Sequence, residues 1–189
     1  MSKNKTIILK ILLAISLIAA PIIWRIINHN NNFAPNLEFI TVSAVLAAII
    51  LGKKAAIIVP LMAIVLSDLI IGNSSIFIFT WGSFLIIGIS AIILNKLNNN
   101  PIKQIASSAA FALSSSFLFF AITNFGVWVQ GWYPATFAGL ITSYTMALPF
   151  YKTMLIGNII IVPCAVAAWQ LAKNHKIVKS LVVNAFISK

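Results

Sequence analysis

The sequence predicts an all-α membrane protein with six transmembrane helices and a short helix in the outer loop between the fifth and sixth. Three observations lead there. Of the 189 residues, 61% are hydrophobic and only 8% charged, whereas a soluble domain carries about 25% charged residues. The apolar residues gather in runs such as 7–27 and 76–94, long enough at about 1.5 Å per residue to cross a hydrocarbon core of about 30 Å. Thirteen basic residues face two acidic ones, Glu38 and Asp68, and nearly all the basic ones lie between the runs. A mean hydropathy of +1.04 agrees.

The first span is 7–27, and Lys3, Lys5 and Lys10 precede the apolar run that reaches Ala19 and Ala20. Its apolar character continues past Pro21 and no A-x-A cleavage site stands out, so it reads as a retained helix and not as a secretory signal. The remaining spans are 37–51, 55–71, 76–94, 105–124 and 152–172. With the N-terminus in the cytoplasm, eleven lysines fall inside, and only Arg25 and Lys152 fall outside. That positive-inside bias returns both termini to the cytoplasm and turns both acids towards the outer face.

Residues 135–148 test the count. Bounded by Pro134 and Pro149 and carrying Thr136, Thr142, Ser143, Tyr144 and Thr145, the segment reaches only about 20 Å as a helix. Were it to cross, the bias would drop to eight against five. It therefore reads as a short helix in an outer loop or re-entrant hairpin, covered by protein or water. A single transmembrane domain, 1–172, then precedes a lysine-rich tail, 173–189. In that tail Ile177, Val178, Leu181, Val182 and Ala185 share one helical face, which suits an amphipathic helix lying on the cytoplasmic membrane surface.

The inventory of reactive groups argues against catalysis. There is no H-E-x-x-H, nucleophile elbow, Walker loop or glycine fingerprint. Two carboxylates, two histidines and one cysteine leave little for acid–base or metal chemistry, so neither an enzyme nor a cofactor is expected. Cys164, alone in an apolar span, excludes disulfides and thiolate metal sites. His29 reads as a residue of the first outer loop and His175 as part of the solvated tail. The net charge of +11 belongs to lysines at helix ends, where orientation and anionic lipid headgroups explain it better than nucleic acid. No internal repeat is visible, which argues against a transporter built from inverted halves.

In lipid, helices associate through small residues. Ser108, Ala112 and Ser116 recur at four-residue spacing on the fifth span, Ser43 and Ala47 on the second, and Ser16 and Ala20 on the first. Such stripes close a bundle; the one on the first span is otherwise a docking face for another membrane subunit.

The polar residues that remain concentrate at the outer ends of the spans. Asp68 lies three residues before the end of its helix, where the macrodipole disfavours a carboxylate, and near the membrane boundary, where a charge needs compensation. It calls for a ligand or for pairing with Arg25 or Lys152. Glu38, following Asn36 at a first helical turn, suits a capping role. Trp24, Trp81, Trp128, Trp132 and Tyr133 map to the outer half, as in an interfacial aromatic belt. The stretch from Asn124 through Gly126, Trp128, Gly131, Trp132 and Tyr133 to Pro134 combines rings, an amide and turn residues. As an outer loop it is suited to closing over a small organic molecule. Asn158, inside the last span, needs a helix partner or a ligand, because an unpaired buried amide is costly.

Several strings resemble known proteins. They are Asn32-Phe33-Ala34-Pro35-Asn36, then Pro60-Leu61-Met62-Ala63 through Leu66-Ser67-Asp68-Leu69 and Gly72, then Asn124-Phe125-Gly126-Val127-Trp128. Tyr133-Pro134, Ala138-Gly139-Leu140 and Ala147-Leu148-Pro149-Phe150 complete the set. With six spans and an aromatic outer loop, they resemble a group of small bacterial membrane proteins often classed with the substrate-binding S components of energy-coupling factor (ECF) transporters. The resemblance implies an S-component-like bundle in the bacterial inner membrane that captures a small vitamin-like molecule from outside. It would deliver that molecule with a coupling membrane subunit and two ATPases. Asp68 and Asn158 would anchor the molecule, with Trp81, Asn124, Trp128, Trp132, Tyr133 and Tyr144 around it. Ser16 and Ala20 stand near the position of the alanine pair that contacts the coupling subunit in S components. The group tends to carry an acid where this chain has Asn158. The other reading is a non-transport membrane scaffold or assembly factor, with the lysine tail as its working surface.

Overall fold

A computed structural model describes residues 3–72, 74–97 and 100–174. Seven α-helices run in order: α1 (Lys3–Asn31), α2 (Ile40–Leu46), α3 (Lys53–Ile71), α4 (Phe77–Asn95), α5 (Pro101–Val129), α6 (Phe137–Met146) and α7 (Leu148–Asn174). No strand occurs among the described residues. Five segments are long and apolar enough to cross a membrane: Ile7–Asn31, Lys53–Ile71, Phe77–Asn95, Pro101–Val129 and Leu148–Lys173. Ile40–Leu51 is a shorter apolar helix of about 18 Å, well below the thickness of a hydrocarbon core. The architecture is thus all-helical with five membrane-length helices. The tail expected over 173–189 lies, from residue 175 onward, outside the described residues.

α2 is the centre of the bundle. Every residue from Ile40 to Val45 is buried, and the helix packs against α1, α3, α4 and α7. A helix that is apolar all round has no solvent face to present, so it occupies the core. Its continuation, Ala47–Leu51, winds as a π-helix. There the Gly52 amide bonds back to the Ala47 carbonyl at 2.9 Å, which releases the carbonyl of Ala48. The Asn95 side chain, from the end of α4, donates to that released oxygen at 2.5 Å. The wider turn therefore leaves no orphaned carbonyl in the core.

The other helices wrap this core. α5 and α7 share the most extensive interface, and the expected small-residue stripe lies fully buried on α5 at Ser108, Ala112 and Ser116. Gly88 of α4 lets α3 approach closely, since a Cβ there would meet the Ala56 carbonyl oxygen at 2.6 Å. Large apolar side chains cover the outside, including Ile8, Ile11, Leu12 and Ile15 of α1 and Ile159 and Ile160 of α7. In water such a belt would be a liability.

Several boundaries differ from the sequence reading. α1 continues to Asn31, so His29 sits in its last turn and not in a loop. α2 begins only at Ile40, three residues into the expected span. α5 extends through Val129, which corrects the expectation that residues 124–128 form a loop. The helix is held there by packing: a Cβ on Gly126 would fall 2.4 Å from the Phe79 ring, and Phe125 meets Phe79 edge-on at 6.5 Å. Favourable contacts with α4 override the turn character of Asn124 and Gly126. α6 is a separate short helix, as expected, and packs chiefly on α5.

Candidate functional site

Both acids of the chain lie at one end of the bundle. This end is formed by the C-terminal parts of α1, α3 and α5 and by the start of α2, α4 and α7. Arg25 of α1 donates to Asp68 Oδ1 of α3 at 2.5 Å. Trp81 of α4 donates its indole N–H to Asp68 Oδ2 at 2.8 Å. Asp68 is 6% exposed and the Arg25 side chain 23%. The carboxylate placed against its own helix dipole is thus compensated by a guanidinium and an indole from neighbouring helices. Of the two readings open for Asp68, the pairing with Arg25 is present.

Glu38 is also buried, at 6% exposure. Its Oε2 accepts the backbone N–H of Thr41 at 2.9 Å, so it caps the first turn of α2 as expected. Its Oε1 accepts the Thr41 hydroxyl at 2.5 Å and the Asn158 amide at 2.9 Å. Asn158 also donates to Ser116 Oγ at 3.1 Å, using both of its N–H bonds. One polar cluster thereby joins α2, α5 and α7 behind the Glu38 carboxylate.

Three adjoining hollows open around Arg25 and Phe119, which line all of them. The first, of about 240 Å³, is walled by Arg25, His29, Asn36 and Glu38 and floored by Phe84, Phe119 and Met154. The second, of about 230 Å³, runs between α5 and α7 past Thr123, Asn124, Phe150 and Tyr151. The third, of about 280 Å³, includes Asp68, His29, Gly72 and Thr80. No lysine lines any of them.

The structure therefore places the expected site residues unequally. Asp68 and Asn124 line hollows, and Trp81 reaches them through its bond to Asp68. Asn158 does not face the same space: it is 1% exposed and bonded to Glu38 and Ser116, because a buried amide takes the nearest acceptors. Trp128, Trp132, Tyr133 and Tyr144 line none of the three hollows. Trp128 donates to the Pro134 carbonyl at 3.0 Å and Trp132 to Ser75 Oγ at 3.2 Å, which ties the turn after α5 to itself and to the chain before α4. Tyr144 of α6 donates to the Ala121 carbonyl at 2.7 Å, and burial raises its phenol above the ordinary pKa, so it stays a donor. Ser16 and Ala20 lie exposed on α1, Ser16 bonding to the Leu12 carbonyl.

Sequence reasoning missed Arg25 as the hub, as well as Glu38, Phe119 and Met154 as walls. A single arginine among lysines was the available signal for the first. The second was present in the pairing of the chain's two acids at one end. The cavity role of Phe119 and Met154 has no local signature. Among the described residues no group of three or more His, Cys, Asp or Glu side chains is placed to hold a metal ion.

Comparison with curated proteins and with solved structures returned no match. Residues 4–181 match a family model described as a family of unknown function, DUF6580. That match spans nearly the whole chain, through every helix described above, and the protein belongs to the DUF6580 family.

Proposed function

We propose that the protein is the membrane-embedded substrate-binding subunit of an ECF-type ATP-driven importer, resembling an S component and capturing a small vitamin-like molecule from the outer face. One observation carries the reading. The cluster of hollows around Arg25 combines scarce charged groups with an aromatic floor, as small-molecule sites do. Each hollow is below the usual 300–1,000 Å³ of a ligand pocket; they share Arg25 and Phe119 as walls, and in this reading they serve together as one site. In this reading α2 with its π-helical end is the second of six short-to-long spans. The lysine distribution holds both termini in the cytoplasm of a bacterial inner-membrane protein. The bundle then opens its acid-bearing end outward. Asp68 and Asn124 contact the captured molecule directly, with Trp81 steadying Asp68. Trp128, Trp132, Tyr133 and Tyr144 shape the rim, and Asn158 holds Glu38. The exposed Ser16–Ala20 face of α1 is where a coupling membrane subunit, itself driven by ATPases, would dock.

Native mass spectrometry of the full chain, extracted in mild detergent, tests this reading. A stoichiometric organic metabolite is expected, released on Asp68→Asn substitution with membrane insertion unchanged. An empty bundle whose cellular role depends only on residues 173–189 would overturn capture in favour of the scaffold reading.

A further inference from the structure

The walls of the hollows bear on the charge of a molecule captured there. With histidine counted as neutral, they hold one cation, Arg25, and two anions, Asp68 and Glu38. Arg25 is committed to Asp68. Glu38 is not so matched: all its hydrogen-bond donors among the described residues are neutral, namely the Thr41 amide and hydroxyl and the Asn158 amide. A buried carboxylate satisfied in hydrogen bonds but without an ion pair of its own is costly in a low-dielectric interior, and the guanidinium that shares its hollow is engaged by Asp68. It lines the same hollow as Phe84, Phe119 and Met154. The two rings stand 5.1 Å apart between centroids. Aromatic rings near a carboxylate suit a cation better than an anion. No lysine lines these walls; Lys152, the other basic residue at this end, lies outside them.

We infer that the captured molecule is an organic cation, with its positive group against Glu38 and an apolar or aromatic body on Phe84, Phe119 and Met154. The inference rests on the capture reading above and adds the ligand's charge. Arg25 Nε, buried without a hydrogen-bond partner among the described residues, leaves a donor for an acceptor atom on the same molecule.

The test uses three probes that share one ring and differ in charge: 2-phenylethylammonium, 2-phenylethanol and phenylacetate. Each is titrated calorimetrically into the purified full chain in detergent. The ammonium is expected to bind about tenfold or more tightly than the alcohol, the ratio one charge-assisted hydrogen bond provides, and phenylacetate more weakly than both. Glu38→Gln, which keeps the side chain's size, should shrink the ammonium's advantage to about twofold or less. Should that variant fail to fold, the wild-type ranking alone decides. Preference for phenylacetate, equal affinities, or no binding by the ammonium overturns the inference. The capture reading fails separately: a co-purified anionic metabolite would sink the cation while leaving capture intact, and an empty bundle would sink capture itself.

Discussion

The two ends of the bundle solve the same problem with different chemistry. At the Arg25 end, charged groups meet: a guanidinium and an indole N–H on Asp68, and neutral donors on Glu38. Space is left open beside them. At the opposite end, where lysines such as Lys53, Lys54, Lys103 and Lys173 stand in the terminal turns of helices, the helices are joined by neutral amides. Gln104 donates to the Leu94 carbonyl at 2.9 Å, Gln170 donates to Gln104 Oε1, and Asn95 donates to Ala48. Both glutamines are buried. Neutral amides tie helices together at modest desolvation cost; buried charges are dearer and are kept where they act on something. The contrast separates an end joined by neutral amides from an end where buried charges border open hollows.

Removing the guanidinium should break this comparison most severely. Arg25→Ala strips Asp68 of its cationic neighbour while the carboxylate stays buried, and is expected to destabilise the protein by about 3 kcal/mol. That is the low end for a broken buried pair, since Arg25 is partly exposed. Replacing both partners, as Arg25→Met with Asp68→Leu, should recover part of the loss, because an apolar pair of similar volume has no charge to desolvate, while the Trp81 indole N–H loses its acceptor. Denaturant unfolding in detergent measures both. If the single variant costs no more than a surface substitution, the pair is not the structural hub of this end.

At the amide end the same experiment should give smaller numbers. Gln104→Leu leaves the Leu94 carbonyl and the Gln170 amide without their partner, for a loss of about 1–3 kcal/mol. The double replacement Gln104→Leu with Gln170→Leu removes the unmet donor and should cost less than the single change. Neither should alter retention of a small molecule at the Arg25 end. Loss of retention in a well-folded glutamine variant would show that the two ends are not independent.

How much of this was legible in the sequence follows the range of the forces involved. Membrane character and the positions of the long helices came through because apolar runs and lysine placement are local signals repeated many times. The need of Asp68 for a partner was legible too, since dipole and burial both oppose a lone acid at that place. What failed was the helix over 124–129, where Gly126 and Asn124 read as turn residues and only the Phe79 ring on another helix explains the outcome. Asn158 was assigned to the open space because nothing in its neighbourhood reveals that Glu38, 120 positions away in sequence, accepts a hydrogen bond from its amide. The aromatic loop after α5 looked like a lid, yet its indole donors are spent on Pro134 and Ser75.

The finest probe of the comparison is the hydroxyl of Tyr144, which fastens α6 to α5 beside the open end. Tyr144→Phe keeps the ring against Phe120, whose centroid lies 5.4 Å away, and deletes only the donor to the Ala121 carbonyl. Ser143 still donates to the Asn124 carbonyl at 2.8 Å, so α6 keeps its seat. The expected cost is about 0.6 kcal/mol, typical of a side-chain hydrogen bond between membrane helices, read as a small shift in the unfolding midpoint. Because the ring that shapes the proposed rim is kept and Tyr144 lines none of the hollows, retention of a captured molecule should not change. A variant of near-normal stability that nevertheless releases its small molecule would make α6 a moving cover over the Arg25 end, and the rigid half of the contrast between the two ends would then belong to the glutamines alone.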